Sequence, residues 1–205
     1  MSQQTTVEMY WEVGSTNTYF AFKLLRPILR RTGARLVLHP YNLGHVFRLH
    51  NYVLMEEPAA KIANRKRDLQ RWADKHRLPF RFPSQFPIKT SRALRGSLAM
   101  RRWGLEMPYI DAVMAAYWEH DDASIADYPG LRPIVAALGV DPDEFEAVSE
   151  SRPIRQQLID STDGGIRRGV FGVPSILVGD ELFWGKDRME FVEDELNRRA
   201  GGPQS

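Results

Sequence analysis

The stretch from Gly169 to Gly185 constrains the fold of this chain more than any other part of the sequence. A Gly-rich approach leads to the Val173–Pro174 step, and a short apolar run, Ser175–Val178, follows it. The pair Gly179–Asp180 is a turn signal, and a second apolar run, Glu181–Trp184, comes directly after it. Two short β-prone runs around a Gly-Asp pair predict a β-hairpin.

The Val173–Pro174 peptide bond has two interpretations. Most X-Pro bonds are trans, and the proline then only starts a strand. Its position before a β run and a hairpin, in a chain that begins with a βαβ pattern, favours a cis bond. A cis-proline would leave the N–H and C=O of Val173 free at the edge of the sheet, where a peptide can pair as an added strand.

The N-terminal part of the chain reads as strand, helix, strand. Residues 7–13 are rich in β-formers, Ser15–Thr18 offers several helix caps, and a helix is predicted to continue to Arg31 with a kink at Pro27. Residues 35–41 form the second predicted strand. A βαβ unit of this length predicts two parallel strands joined by a right-handed crossover.

The middle of the chain is mostly helical in pattern. Amphipathic or apolar segments alternate with loops, and one proline-dense segment, residues 78–87, is incompatible with a regular helix. The predicted helices cover residues 58–75, 90–103, 108–122, 131–138, 143–149 and 153–161, and a last helix covers residues 186–199. The predicted fold class is therefore α/β, a thioredoxin-like domain (βαβ … ββα) with a large all-helical insertion. Its predicted boundaries are residues 1–44 with 165–205, and residues 45–164 for the insertion.

Composition excludes several kinds of function. The 205 residues include no cysteine, which rules out disulfides, thiolate metal sites and a protein thiol nucleophile. A net charge of +2 gives no attraction to nucleic acid or to a membrane surface. The five histidines show no metal-ligand spacing, so no metal site is predicted. No apolar run approaches a membrane span, and the polar N-terminus lacks a signal core, so we expect a cytoplasmic protein.

Ser15 stands where a strand ends and a helix begins, and it also has two interpretations. Serine is a common helix cap, and that role alone explains the residue. Free backbone N–H groups and the helix dipole also favour an anion at such a position. In a thioredoxin-like fold this is the position of the reactive sulfur, and a helix N-terminus lowers the pKa of a thiol. Since the chain has no cysteine, that sulfur would belong to a ligand such as glutathione.

Two charged residues admit a structural and a functional interpretation in the same way. Asp187 lies at the predicted start of the last helix and is explained by capping, or it binds an ammonium such as that of a γ-glutamyl group. Lys61 is one solvated charge among many on its helix, or it pairs with a ligand carboxylate.

Taken together, these segments resemble the 2-hydroxychromene-2-carboxylate isomerase family, which is related to kappa-class glutathione transferases and DsbA-like proteins. The resemblance covers nearly the whole chain. The segments that carry it are the strand leading to Ser15, Tyr41–Arg48, Arg67–Ala73, Phe86–Ile88, Gly169–Pro174 and Phe183–Arg188. The last two are the most specific.

The resemblance implies a glutathione-dependent isomerase, usually a homodimer, that acts on a small aromatic-derived carboxylate. Ser15 matches the family's active-site serine, and glutathione would lie across Ser15, Val173, Asp187 and Lys61. The implied cofactor-binding set is completed by Asn51, Tyr52, Pro174 and Lys186, and Lys89 and Arg81 are the candidate partners of the substrate carboxylate.

Three positions depart from the family pattern. Thr16 replaces the proline that follows the serine, and Asn51–Tyr52 stands where the family has Gly-Asn, so that Tyr52 holds the asparagine position unless the chain shifts by one residue. Lys89 replaces an asparagine after Phe86–Pro87.

The implied reaction is thiolate addition to a conjugated carbon, bond rotation and elimination, so that glutathione is not consumed. Two alternatives stay open: a kappa-type glutathione transferase or peroxidase that consumes glutathione, and a non-catalytic domain that binds a peptide or partner. A thiol–disulfide oxidoreductase is excluded because the chain has no cysteine to cycle.

Overall fold

A computed structural model describes residues 4–53 and 56–201. Residues 1–3, which belong to the polar N-terminal stretch, and residues 202–205, at the end of the predicted first domain, lie outside this part. Described residues through Tyr41 and from Ser161 onward form one compact unit, and those from Asn42 to Asp160 form a second. The predicted boundaries lie within four residues of these divisions, and the assignment of the units as domains stays a prediction.

The first unit is built on a sheet of four strands in the order β2-β1-β3-β4. The strands are β1 (Thr6–Trp11), β2 (Arg35–Pro40), β3 (Ser175–Val178) and β4 (Glu181–Trp184). β1 and β2 run parallel with Thr6 opposite Arg35, whereas β3 runs antiparallel to β1 with Ser175 opposite Tyr10. β3 and β4 form the predicted hairpin, with Ser175 opposite Trp184.

Helix α1 (Thr16–Thr32) connects β1 to β2 and runs through Pro27, and Gly33 ends it in a left-handed conformation. The alternate side chains of β1, Val7, Met9 and Trp11, are fully or almost fully buried. The Trp11 ring lies 5.5 Å from that of Phe22 on α1, so this face of the sheet is covered by the crossover helix.

The last helix of the chain starts later than the sequence predicts. It covers Met189–Ala200 rather than beginning at Lys186, and its preceding residue, Arg188, makes no side-chain cap. The capping interpretation of Asp187 is therefore wrong. Asp187 instead accepts a hydrogen bond of 2.8 Å from Arg188, and Gly185 before it has φ +107°, a conformation that does not continue a helix.

The second unit is helical, as the pattern predicts. Its helices are α2 (Leu43–Leu49), α3 (Ala59–His76), α4 (Ser91–Met100), α5 (Glu106–Trp118), α6 (Tyr128–Ala137) and α7 (Pro142–Glu150). The next helix, α8 (Arg152–Arg167), contains the division between the units at residue 160. The last helix of the chain, Met189–Ala200, belongs to the first unit and is called α9. The core of the second unit is aromatic: the rings of Tyr109 and Phe145 lie 5.6 Å apart, and Trp118 contacts three phenylalanines of the proline-dense segment. None of the helices in the described part of the chain is both long and apolar enough to cross a membrane.

Candidate functional site

The candidate site lies at the C-terminal end of β1, where the chain turns into α1. Ser15 is the N-cap of that helix, and its hydroxyl oxygen accepts a hydrogen bond from the Thr18 amide at 3.3 Å. The same hydroxyl donates to the carbonyl of Val173 at 3.1 Å, across 158 residues of sequence. The structure thus brings together two of the predicted site residues within the first unit, and both are nearly buried.

The first turn of α1 offers unpaired hydrogen-bond donors to a ligand. In the described chain, the amides of Thr16 and Asn17 make no hydrogen bond, and the first turn carries no acidic side chain. Unpaired amides at a helix N-terminus carry partial positive charge, which is favourable for a negatively charged ligand atom. The capping role of Ser15 and the anion role are therefore compatible, because the cap engages Thr18 and leaves these two amides available.

Three hydroxyl groups fix the loop that carries Val173. Tyr41 donates to the Val170 carbonyl at 2.7 Å, Ser175 donates to the Gly172 carbonyl at 2.7 Å, and Ser15 donates to the Val173 carbonyl. Burial raises the pKa of the Tyr41 phenol to about 12, so this donor keeps its proton at neutral pH. Tyr41 and Ser175 are not predictable as site residues from the sequence, since their role depends on carbonyls that only the fold brings close.

The Val173–Pro174 peptide bond is cis, and so is Phe86–Pro87, which the sequence analysis did not consider. The carbonyl of Pro174 accepts a hydrogen bond from the Gly185 amide at 3.0 Å. The amide of Val173 has no hydrogen-bond partner among the described residues. The prediction that both the N–H and the C=O of Val173 are free is therefore wrong for the carbonyl, which accepts the Ser15 hydroxyl, and agrees with the structure for the amide.

The other predicted residues of the first unit follow the β-hairpin. Lys186 is buried, with 9% of its surface exposed, and Asp187 is about half exposed and paired with Arg188. Gly185 has φ +107°, a conformation that L side chains rarely adopt, and this accounts for a glycine just before Lys186 and Asp187.

The remaining predicted residues belong to the second unit. Lys61, near the start of α3, forms an ion pair of 2.8 Å with Glu57, and Tyr52 donates a hydrogen bond of 3.4 Å to the same carboxylate. Arg65 also contacts Glu57. Neither Arg65 nor Glu57 was predicted to be a site residue. Asn51 has φ +51°, a left-handed conformation that asparagine tolerates better than most residues.

Arg81 and Lys89, the candidate partners of the substrate carboxylate, are both exposed. Arg81 pairs with Asp121 at 3.3 Å. Hydrogen bonds from Ser84, mainly that of its amide, together with the Arg81 charge hold the pKa of the Asp121 carboxyl below its usual range. Roles in ligand binding for Arg81, Lys89, Lys61, Asn51 and Tyr52 stay predictions. No group of three or more metal-ligating side chains occurs in the described chain.

Comparison with known proteins agrees with this architecture. A model of the DSBA-like thioredoxin domain matches residues 6–197. A 2-hydroxychromene-2-carboxylate isomerase from Sphingobium xenophagum is 28% identical over 193 residues, which is 93% of this chain and 97% of that protein. One from Pseudomonas sp. (strain C18) is 34% identical over 138 residues, 66% of this chain, and the match spans 63% of that relative.

A solved structure of 2-hydroxychromene-2-carboxylate isomerase superposes with a TM-score of 0.83 at 27% identity, covering 98% of this chain and 100% of the other. These findings confirm the predicted thioredoxin-like fold with a helical insertion. They also confirm the resemblance to these isomerases, and with it the prediction of an isomerase-like enzyme.

Proposed function

The chain belongs to the DSBA-like thioredoxin domain family, and from this starting point we propose that it is a glutathione-dependent isomerase of a small aromatic-derived hydroxy acid. The similarity to 2-hydroxychromene-2-carboxylate isomerases supports the reaction class. The observation that carries the proposal is the Ser15–Val173 hydrogen bond at the start of α1, in a chain that contains no cysteine.

The residues at this position fit a thiolate supplied by a ligand. The amides of Thr16 and Asn17 and the hydroxyl of Ser15 are hydrogen-bond donors, and no acidic side chain lies in the first turn of the helix. A helix N-terminus stabilises an anion by up to about 2 kcal/mol in a partly buried geometry. We therefore expect the pKa of a thiol bound here to fall below its value in water.

Ser15 has a second task when a peptide binds. Its hydroxyl donates to the Val173 carbonyl, while the Val173 amide has no partner in the part of the chain that the structure describes. An extended peptide that pairs with Val173 uses that amide and donates to that carbonyl, as an added strand does. The peptide's N–H then replaces the Ser15 hydroxyl at the carbonyl, and the hydroxyl is free to donate to the sulfur.

Held by Ser15, the first-turn amides and Val173, glutathione would supply a thiolate nucleophile for reversible addition to a conjugated carbon and elimination. The chain's own residues hold the reacting atoms. Ser15 and the first-turn amides stabilise negative charge on sulfur, and Val173 fixes the peptide backbone. Asp187 is an exposed carboxylate that can exchange its Arg188 partner for a ligand ammonium, because exposed ion pairs are weak.

Ser15→Ala tests the proposal, with Ser161→Ala as the matched control. Ser161 also donates to a backbone carbonyl, that of Pro40 at 2.7 Å, but it lies on α8 and not at the start of α1. In Ser15→Ala we expect a higher pKa for the thiol of bound glutathione, which is measured from the absorbance of the thiolate. We also expect turnover of 2-hydroxychromene-2-carboxylate to be lower by about 100-fold, as for loss of a donor to a reacting anion. Ser161→Ala should leave both unchanged.

The proposal fails if Ser15→Ala titrates and turns over like the native chain. Two further measurements separate the alternatives. An isomerase leaves total free thiol constant during turnover, whereas a glutathione transferase depletes it. Absence of glutathione binding in a calorimetric titration would instead point to a non-catalytic binding domain. A homodimer and a cytoplasmic location stay predictions.

A further inference from the structure

Two large aromatic side chains are exposed beside the candidate site. Phe171 is 59% exposed and Trp184 is 49% exposed, although most large apolar residues of this unit are buried. Their ring centroids lie 5.1 Å apart with an angle of 56° between the planes. We call these two residues the aromatic pair. Two adjoining exposed rings form a continuous apolar surface, and ligand sites use surfaces of this kind.

The backbone places the aromatic pair at the loop that Ser15 contacts. Phe171 precedes Val173 by two residues, so their Cα atoms are at most about 7.6 Å apart. Trp184 is paired with Ser175 across the hairpin, and the next residue, Gly185, donates to the Pro174 carbonyl. Both rings therefore border the segment that presents Val173 to a ligand.

The loop is also shaped to let the indole approach. A Cβ on Gly172 would lie 2.8 Å from Trp184 Nε1, so the indole could not keep its present position beside any other residue. The Gly172 carbonyl is fixed by the Ser175 hydroxyl at 2.7 Å, and Ser175 is fully buried. The position of Trp184 is thus set by the loop and by the strand that carries it.

We propose that the aromatic pair is the surface against which the planar ring of the substrate stacks, and that it sets the preference for aromatic acids. Tilted aromatic faces are suited to a flat ring, which gains quadrupole interactions that a saturated ring of similar size does not. Small-ligand sites typically combine such apolar surfaces with a few directed polar groups, here Ser15 and Val173. This inference depends on the proposed function only for the reaction that the substrate undergoes. The preference for binding aromatic acids can be tested without it.

The test measures binding directly, without glutathione. Calorimetric titrations compare 3-phenylpropanoate with 3-cyclohexylpropanoate, which carries the same charge on a saturated ring. The native chain should prefer the phenyl acid, and Trp184→Leu and Phe171→Leu should each weaken its binding by about 3- to 10-fold. Binding of the cyclohexyl acid should change little, so the preference falls. Phe191→Leu is the matched control, because Phe191 is 57% exposed on α9.

Several outcomes overturn the inference. It fails if the native chain binds neither acid or binds both equally, or if all three variants keep the native preference. A loss of the dimer in Trp184→Leu with an unchanged preference would show that the pair is an interface between copies of the chain. Circular dichroism verifies that each variant is folded.

The same titrations separate this inference from the proposed function. A native chain that prefers the phenyl acid but does not isomerise 2-hydroxychromene-2-carboxylate would contradict the proposed reaction and still support the binding role of the aromatic pair. Conversely, an active chain whose preference survives both leucine substitutions would refute the pair alone. In the active enzyme, the substitutions should raise KM for the aromatic substrate while the pKa of bound glutathione stays unchanged.

Discussion

The two ends of β1 carry polar residues of very different kinds. Near its start, Glu8 accepts hydrogen bonds from both terminal nitrogens of Arg168, at 2.9 and 2.8 Å, and its second oxygen lies 2.8 Å from His39 Nε2. The His39 ring stacks on Tyr10 with centroids 4.7 Å apart. Beyond its end, Ser15 donates one neutral hydrogen bond to the Val173 carbonyl, and the Val173 amide has no partner among the described residues.

The comparison separates a stabilising end of β1 from an end that is available to a ligand. At the charged end, the carboxylate, guanidinium and imidazole satisfy one another, so a ligand would have to displace strong, charge-assisted hydrogen bonds. At the other end, the amides of Thr16, Asn17 and Val173 have no partner among the described residues, and the Ser15 hydroxyl donates one neutral hydrogen bond, which a ligand displaces more easily. Substitutions at the charged end should therefore change stability, and substitutions at the site should change chemistry.

The largest effect on stability is expected for Arg168→Met. Removing two charge-assisted hydrogen bonds to Glu8 should lower the free energy of unfolding by about 2 kcal/mol, after allowance for the partial exposure of both groups. Isomerase activity should stay within about twofold, since the Ser15 end keeps its contacts. Urea unfolding and turnover measured on the same preparation check both parts.

Arg31→Met is the matched control for Arg168→Met. Arg31 also makes two hydrogen bonds to one carboxylate, that of Glu193, but its side chain is 58% exposed. An exposed pair of this kind contributes little to stability, so its loss should be barely measurable. Equal losses of stability in the two variants would contradict the distinction between the ends of β1.

A smaller effect is expected for Tyr41→Phe. The Tyr41 hydroxyl donates to the buried Val170 carbonyl, which loses that donor in the variant. Loss of one such bond should lower the free energy of unfolding by about 1 kcal/mol. Because the loop keeps the hydroxyls of Ser15 and Ser175, activity should change less than in Ser15→Ala. An activity loss as large as that of Ser15→Ala would show that the loop depends on all three donors.

The smallest expected effect is a pH dependence. Hydrogen bonding to Arg168, reinforced by His39, holds the pKa of the Glu8 carboxyl below its ordinary value near 4.5. The carboxylate's contribution to stability is therefore complete above that ordinary value and is lost as the pH falls through the lower native pKa.

Glu8→Gln should lack this component. Between pH 5 and acid conditions of about pH 3, the stability difference between the native chain and Glu8→Gln should shrink by up to about 1 kcal/mol. Urea titrations at several pH values measure the difference and cancel the contributions of other carboxyls. A constant difference over this range would refute the role of Glu8.

Much of the sheet could be predicted from the sequence, because its signals are local. Alternating β-formers predicted β1. The Gly179–Asp180 turn between two apolar runs predicted the hairpin of β3 and β4 with the strand bounds that the structure has. The helical character of the second unit followed from its amphipathic spacing. Tertiary packing explains an error in α8, predicted to end at residue 161 but continuing to Arg167.

The error in α8 arises at Gly164–Gly165, which resemble a helix stop. A Cβ on Gly165 would lie 2.8 Å from the rings of Tyr10 and Tyr41, so this glycine permits close packing and not a break. Helix α2 was missed because its N-cap, Asn42, was considered only as part of a motif.

At the candidate site, motifs identified Ser15 and Val173 but not the hydrogen bond between them. They also gave no sign that Lys61 is paired with Glu57 or that Asp187 is paired with Arg188. Such partners depend on side-chain geometry, which spacing along the chain does not encode. The exposed aromatic pair was likewise hidden, because Phe171 and Trp184 look like core residues until their surroundings are known.

The serine at the start of α1 has one more consequence for the proposed enzyme. A catalytic cysteine that is oxidised to sulfinic or sulfonic acid inactivates its protein for good in most settings. In the proposed enzyme the reactive sulfur would arrive with a diffusible tripeptide, so an oxidised molecule would be replaced by the next one. The protein would contribute only a hydroxyl group and a few backbone amides to this site, and peroxide does not oxidise these groups.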